Sequence, residues 1–248
     1  MIDTPVKTLY VPGPFGEEYA GKRVQRREMV FTVQVGLEDE GPDYWASVDA
    51  AWRWAWDYEQ ECKMTVTTSD GERFIYLRLL EEPKSYGDKD PHLTGDEEVV
   101  MTVTATFPYW QEKPAVYEFT GSTNLDIANT GDIAVFPSWT LTAPGTWTLP
   151  DYSWGSDMYS RAEADATRTV TLPNLPSGAH CVVDADPRVQ TLVCANSYPA
   201  QQHWKGKDLM YPIAAGAKGT VSVTGPSLPG RLTIPRWYSR PWSRPVAL

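Results

Sequence analysis

The stretch from Ala128 to Gly145 constrains the fold more than any other part of this 248-residue chain. It opens with Asn129-Thr130-Gly131-Asp132, a turn cluster in which Asn and Gly tolerate the left-handed backbone that such turns need. Strand-forming residues follow over 133–136, and Pro137 then interrupts them. Because proline has no N–H to donate, this strand is predicted to lie at a sheet edge or to change partners at a bulge. We interpret this stretch as the opening of a second, all-β domain.

From Ala115 onward the sequence shows only short strand-like runs between turns, without a helical period. The predicted strands are Val116–Thr120, Ile133–Thr142, Arg168–Leu172, His180–Asp184, Gln190–Ala195, Gly219–Gly225 and Arg231–Trp237. Seven strands at this spacing are typical of a β-sandwich. The sequence therefore predicts a C-terminal β-sandwich domain over residues 113–235.

The residues before this domain mix strands with one helix, so an α+β domain is predicted over 1–112. Alternating apolar residues predict strands over Glu28–Val35 and Val99–Phe107. The turn Ser69-Asp70-Gly71-Glu72 predicts a hairpin between Met64–Thr68 and Arg73–Leu80. Residues 1–25 are predicted to be irregular, and Glu81–Glu98 is predicted to be a long polar excursion.

One convincing helix is predicted from Tyr44 to about Cys62, with Asp43 as its N-cap. An apolar stripe with three- and four-residue spacing supports it, formed by Trp45, Val48, Trp52, Ala55 and Trp56. Trp54 and Tyr58 lie away from this stripe. An exposed Trp54 would indicate a subunit contact, and a wide buried stripe is the alternative.

Residues 236–248 form a segment rich in proline, arginine and tryptophan. It is predicted to be either a disordered tail or an arm that lies on a neighbour, and its tryptophan content favours the arm. We predict protein-interface residues at two places, Trp54 with Tyr58 on the helix and Trp237 with Trp242 near the C-terminus.

Charge is spread unevenly along the chain, whose formal net charge is −10. Residues 1–120 carry 23 acids and 12 bases, whereas residues 121–248 carry 9 acids and 10 bases. Such an asymmetry would let copies meet head to tail, with the positive end of one on the negative face of the next. It argues against direct binding of nucleic acid, which needs a broad basic surface.

No apolar run approaches 18 residues, and no signal peptide is evident. We therefore expect that the chain is made in a cytoplasm and does not insert into a membrane.

Cysteine usage gives no sign of a disulfide framework or a zinc site, because Cys62, Cys181 and Cys194 are few and scattered. Cys181 and Cys194 could face each other across a hairpin, although buried free thiols are the favoured interpretation.

The sequence gives only weak evidence for catalytic or metal-binding residues. Asp184 and Asp186 would point to the same side of a strand, but they precede Pro187-Arg188 and are better interpreted as hairpin acids. The acidic loop with Asp88, Asp90 and 96–98 matches no calcium-loop spacing. No nucleophile elbow, phosphate-binding loop or metal-binding histidine pair is found. We therefore predict no enzyme activity, no cofactor and no metal ion.

Four stretches together resemble the distal tail protein family of long, flexible-tailed bacteriophages, a family of minor tail proteins in actinobacteriophages. They are Arg27 to Val35, Phe107-Pro108-Tyr109-Trp110, Asn129 to Gly145, and Gly178 to Arg188 with Val182-Val183-Asp184. These stretches occur in the family's order and span residues 27 to about 190.

This resemblance implies a structural virion protein of the tail tip or baseplate. Family members form a hexameric ring that joins the tail tube to the tail-tip hub and fibres. Their N-terminal domains make the ring, and a galectin-like C-terminal sandwich projects outward. The implied partners are copies of the same chain, the tail tube protein, the hub and other minor tail proteins, with assembly in the host cytoplasm. The resemblance supplies no catalytic residues.

The alternative function is a carbohydrate-binding β-sandwich that contacts host-surface glycans. Its candidate sugar-stacking residues are Trp147, Tyr152, Trp154 and Trp204. Exposed, coplanar rings on one sheet face would favour this alternative, and burial of the rings would count against it. A glycoside hydrolase is a third alternative, which needs a cleft with a carboxylate pair.

Overall fold

A computed structural model describes residues 3–85, 90–205 and 207–242 of the chain. The chain is mostly β and is organised in two compact units. Described residues from 3–110 and 239–242 form the first unit, and those from 111–238 form the second. Among the helices that the structure describes, none is both long enough and apolar enough to cross a lipid bilayer.

The first unit is built around an antiparallel sheet with strand order β3-β7-β5-β4, and β6 also pairs with β7. Its elements are β1 (Val6–Gly13), β2 (Gly16–Val24), β3 (Arg27–Gly36), α1 (Pro42–Trp54), β4 (Cys62–Thr68), β5 (Gly71–Leu79), β6 (Lys84–Ser85), α2 (Pro91–Thr94) and β7 (Asp96–Ala105). The predicted strands and the predicted hairpin at Gly71 are confirmed. The long excursion predicted over 81–98 is wrong in part, because it contains β6, α2 and the start of β7.

The alternation in β7 produces the core of this unit. Val99, Met101, Val103 and Ala105 are fully buried, as their spacing predicts. Residues that alternate along a strand share one face of the sheet, so these four side chains lie together on the buried face. Full burial of a Val or Met side chain stabilises a fold by roughly 1.5–3 kcal/mol.

The helix is shorter than predicted at its C-terminal end. It begins after Gly41, with proline at its first position, rather than at an Asp43 cap. It ends at Trp54 instead of near Cys62, because the Asp57 carboxylate accepts the backbone N–H groups of Glu59 and Gln60 and forms a turn. These hydrogen bonds lower the pKa of Asp57.

The prediction that residues 1–25 are irregular is wrong. β1 and β2 form a regular antiparallel hairpin with a bulge at Leu9 and Tyr10. The turn of the hairpin lies at Pro14 and Phe15, between Gly13 and Gly16. The cause of the error is the exposure of both faces of the hairpin, which leaves no buried side to create an alternating pattern.

The second unit contains an antiparallel sheet with strand order β14-β13-β10-β16-β8 and two further strand pairs, β11 with β12 and β9 with β15. Its elements are β8 (Trp110–Thr120), β9 (Thr123–Ala128), β10 (Ser138–Leu141), β11 (Thr148–Pro150), β12 (Thr169–Thr171), β13 (Cys181–Asp184), β14 (Leu192–Cys194), α3 (Ala200–His203), β15 (Lys218–Val223) and β16 (Pro229–Tyr238). The all-β character is confirmed apart from the short α3, whereas the galectin-like sandwich stays a prediction. β9 and β11 were not predicted.

Pro137 marks a change of strand partners, which was one of the two predicted alternatives. Before it, Val135 exchanges backbone hydrogen bonds with Ile213. After it, β10 lies between β13 and β16. The long strand predicted over 133–142 is therefore wrong at its start, where only an isolated bridge forms.

Aromatic residues fill the core of the second unit. Trp139 and Trp147 are fully buried, and each meets the ring of Phe119 edge to face, at centroid distances of 6.1 and 5.9 Å. Edge-to-face pairs at this separation add to the stabilisation that burial alone provides. Two of the chain's 11 tryptophans therefore serve to pack this core.

Candidate assembly surfaces

The helix presents one tryptophan to solvent and holds others against the sheet. Trp54, its last residue, is 90% exposed, and Tyr58 in the following turn is 54% exposed. Trp45, Trp52 and Trp56 are half-buried, and Trp56 packs on Phe31 at a centroid distance of 6.0 Å. Trp54 is therefore not part of a wide buried stripe, which was the alternative prediction. An exposed tryptophan at a helix end is a candidate contact for another protein.

The two C-terminal tryptophans lie in different surroundings. Trp237 is half-buried in β16, where the guanidinium of Arg188 lies over its ring at 5.9 Å. Trp242 is 56% exposed and belongs to the first unit. The structure does not bring these two predicted interface residues together in one unit.

Arginine side chains fasten the described end of the chain, residues 239–242, to the first unit. Arg27 donates to the carbonyl oxygens of Pro108 and Ser239, at 2.7 and 2.8 Å. Arg73, which is buried, donates to the carbonyl oxygen of Arg240, whose own side chain pairs with Asp3. The segment predicted to be a tail or an arm thus has internal contacts as far as it is described, and residues 243–248 lie outside the described residues.

An apolar groove of about 510 Å³ opens beside this segment. Its wall consists mainly of side chains from β3, β4 and the end of the chain, namely Met29, Val30, Phe31, Met64, Val66, Trp110, Pro241 and Trp242. The exposed ring of Trp242 is therefore continuous with other apolar surface of the first unit.

The β1–β2 hairpin carries a set of exposed apolar side chains, and sequence reasoning missed it. Between Val6 and Val24 no residue is buried, and neither strand pairs with a third strand in the described part of the chain. Its exposed apolar and aromatic side chains are Val6, Leu9, Tyr10, Val11, Phe15, Tyr19 and Val24. The strand-forming residues on either side of Gly13-Pro14-Phe15-Gly16 were the available signal.

The aromatic residues proposed to stack sugars do not form an exposed platform. Trp147 and Trp204 are buried, and their indole N–H groups donate to the carbonyl oxygens of Thr142 and Thr171. Tyr152 and Trp154 are half-buried, with their rings tilted 45° to each other. Burial and lack of coplanarity both count against the carbohydrate-binding alternative.

The candidate carboxylate pair has a structural explanation. An oxygen of Asp184 accepts the backbone N–H of Asp186 at 2.9 Å, which forms a turn. The Asp186 carboxylate in turn accepts hydrogen bonds from the side chain of Arg188, which lower its pKa. Both acids thus stabilise a hairpin turn.

Within the described residues, His, Cys, Asp and Glu side chains do not cluster into a group that could hold a metal ion. Asp88, which the sequence analysis considered for a calcium loop, lies outside the described residues.

Comparison with known proteins shows similarity to phage tail proteins along nearly the whole chain. Minor tail protein Gp27 of Mycobacterium phage D29 and its namesake in Mycobacterium phage L5 are each 28% identical, over 98% of this chain and 88% of the relative. The resemblance to phage minor tail proteins is confirmed. No family model matches the chain. Among solved structures, the Dit protein (gp 19.1) of phage SPP1 has a TM-score of 0.60 at 14% identity, covering 94% of this chain and 88% of that one.

The likeness to the SPP1 protein shows a Dit-like fold, and the similarity to the mycobacteriophage minor tail proteins supports a structural role in a phage tail. The relatives are structural proteins, which is consistent with the expectation of a chain without catalysis.

Proposed function

We propose that copies of this chain form a hexameric ring at the tail tip, which joins the tail tube to the tail-tip hub and fibres. The chain would assemble in the host cytoplasm and would contact the tail tube protein, the hub and other minor tail proteins. The SPP1 protein that shares its fold is described as a paradigm of the hub adsorption apparatus in phages that infect Gram-positive bacteria. The domain limits 1–112, 113–235 and 236–248 stay a prediction within this proposal.

The exposed β1–β2 hairpin is the observation that carries this proposal. An isolated two-stranded hairpin is marginally stable in water, and natural proteins normally cover such exposed edges. Here both edges and both faces are open, and Phe15 is fully exposed at the turn. We infer that a neighbouring copy covers the hairpin in the ring, and that Trp54, Tyr58 and Trp242 add to the contacts of the first unit.

Charge asymmetry supports a head-to-tail contact between copies. After Asp208 the chain has no acid, whereas most of its acids lie before residue 120. A ring requires two different surfaces of each subunit to meet, and surfaces of opposite charge meet more readily than surfaces of like charge. Electrostatic attraction of this kind also sets the orientation in which the copies join.

Light scattering after size exclusion tests the proposal. The full chain has a mass of 27.8 kDa, so we expect a species near six times this mass, seen as a ring with a central hole by negative-stain microscopy. A monomer over the whole accessible concentration range, both alone and with the tail tube protein, would overturn the proposal.

A paired set of variants assigns the contact to the hairpin. Substitution of both Phe15 and Tyr19 by serine should shift the species toward monomer, without lowering the midpoint of thermal unfolding, because both rings are exposed. Met158→Ser is the matched control, since Met158 is also exposed but lies in the second unit. If the double variant and the control assemble equally well, the hairpin is not the ring contact.

A further inference from the structure

Cys181 and Cys194 lie directly opposite each other in the antiparallel pair β13–β14. Backbone hydrogen bonds join Ala195 to His180 and Asp184 to Thr191, on the two sides of this pair. Because hydrogen-bonded and non-hydrogen-bonded pairs alternate, Cys181 and Cys194 form a non-hydrogen-bonded pair, in which Cα atoms are typically about 4.5 Å apart. A disulfide needs a Cα separation of roughly 4.4–6.8 Å. The backbone therefore already lies within the range that a disulfide requires.

The two thiols differ in their surroundings. Burial, with a contribution from Cys194, raises the pKa of Cys181 to about 12. Burial also raises the pKa of Cys194, which is only half-buried, and a hydrogen bond from the Cys181 thiol partly offsets this effect. Cys194 is thus the more accessible of the two thiols. The third cysteine, Cys62, lies opposite Leu77 and has no facing thiol.

We propose that Cys181 and Cys194 form a disulfide after the chain leaves the reducing cytoplasm as part of a virion. That the disulfide forms in a virion outside the cell rests on the proposed function. That these two cysteines can form a disulfide rests on the geometry of the β13–β14 pair. Disulfides persist outside cells and are rare in reducing cytoplasm. The pair would be reduced during assembly and oxidised in the free particle.

A low-molecular-weight disulfide supplies the oxidant. The Cys194 thiolate attacks one sulfur of the reagent and expels the other half as a thiolate. Cys181, after losing its proton to solvent, then attacks the Cys194 sulfur of the mixed disulfide and expels the second half. The protein loses two protons and two electrons, and the reagent gains them and is reduced to two thiols.

The crosslink would tie the last strand of the sheet to its neighbour. β14 lies at the end of the strand order and pairs only with β13 in the described part of the chain. The bond closes the short loop from 181 to 194, which restricts the unfolded chain and stabilises the folded one. Oxidation should therefore raise the midpoint of thermal unfolding by several degrees.

Peptide mapping of the full chain, treated with oxidised glutathione, tests the proposal. Trypsin cleaves after Arg168, Arg188 and Lys205, so Cys181 and Cys194 fall on two separate peptides that only a disulfide can join. We expect the joined peptide, one remaining free thiol at Cys62, and faster oxidation as the pH rises, because the thiolate is the attacking form. The Cys62→Ser variant should form the same product, and Cys194→Ser should not.

Two results would overturn the inference: three free thiols after prolonged oxidation at alkaline pH, or crosslinks between chains only. A thermal midpoint that stays unchanged when the joined peptide is present would overturn the stabilising role. Light scattering of the same samples tests the ring proposal separately from the disulfide proposal. A monomer that forms the joined peptide contradicts only the ring, and a ring with three free thiols contradicts only the disulfide.

Discussion

Arg168 is paired with the carboxylate of Asp151, which is almost completely buried. The same carboxylate accepts the backbone N–H groups of Met210 and Tyr211, each at 3.0 Å. Asp151 follows β11 and Arg168 precedes β12, so their ion pair extends the pairing of these two strands. The hydrogen bonds from Met210 and Tyr211 connect a segment distant in sequence to the same carboxylate. Both side chains are largely removed from water, and this desolvation lowers the pKa of Arg168.

Asp151→Ala should lower the free energy of unfolding by about 3 kcal/mol, because the arginine and two backbone N–H groups would lose their acceptor. Urea unfolding measures this change. Asp126→Ala is the matched control, since Asp126 is exposed and bonds only the hydroxyl of Thr220 in the described contacts. The control should change stability by about 0.5 kcal/mol or less. Equal losses in the two variants would contradict the role of Asp151.

Asn129→Ala should cost at least about 2 kcal/mol of stability, because the buried amide satisfies several backbone groups at once. Its nitrogen donates to the carbonyl oxygens of Ile133, Ile213 and Ala214, and its oxygen accepts the N–H of Gly131. Asn129→Asp should also destabilise the fold, since a carboxylate cannot donate to carbonyl groups. Urea midpoints of both variants, compared with the exposed control Asn124→Ala, measure the effect. An Asn129 variant as stable as that control would refute this account.

Asn129 also shows how far the sequence predicts this fold. Its turn residues marked the right place, but its contact with Ile213 joins residues 84 positions apart, and local sequence carries no sign of such a contact. The Ile133 carbonyl accepts from the Asn129 side chain, and Val135 forms only an isolated bridge with Ile213, so the strand-forming residues there make no continuous strand. By contrast, β7 was predictable because one of its faces is buried and the other is not.

The candidate surfaces, too, were predictable from the sequence only where neighbouring residues form a buried face. Trp54 was recognised because its neighbours formed an apolar stripe that excluded it. The hairpin was missed because it has no buried face in the described part of the chain, so no alternation of buried and exposed side chains marks its strands. Surfaces that another chain covers therefore leave a weaker periodic signal than surfaces covered by the chain itself.

Gly225→Ala should destabilise the second unit by about 1–3 kcal/mol through overpacking. An added Cβ atom would clash with Cε3 of Trp147, whose ring is fully buried and hydrogen-bonded through its indole N–H. The ring therefore cannot move without losing that bond. The midpoint of urea unfolding measures the cost. Near-ultraviolet circular dichroism should show a changed tryptophan environment, and an unchanged spectrum with unchanged stability would contradict the close packing.

Stability of the reduced protein should fall as the pH rises from about 9 towards 12. Cys181 has a folded-state pKa of about 12, raised by burial from 9.0, so over this range the unfolded chain binds fewer protons than the folded one. The stabilisation is complete below the unfolded-state pKa and is lost as the pH approaches the folded-state value. Cys181→Ala should show a smaller decline in urea midpoint between about pH 8 and pH 10.5. Parallel pH profiles for the variant and the unmodified chain would contradict this assignment.

Trp54→Ala should weaken self-association several-fold and change the free energy of unfolding by only about 0.5 kcal/mol or less, because the side chain is 90% exposed. Trp56→Ala is the contrasting variant. Its ring packs on Phe31 and on Trp52, so its loss should cost about 2 kcal/mol or more of stability. Concentration-dependent light scattering measures association, and thermal unfolding measures stability. If Trp54→Ala associates as the unmodified chain does, the prediction that Trp54 is an interface residue is wrong.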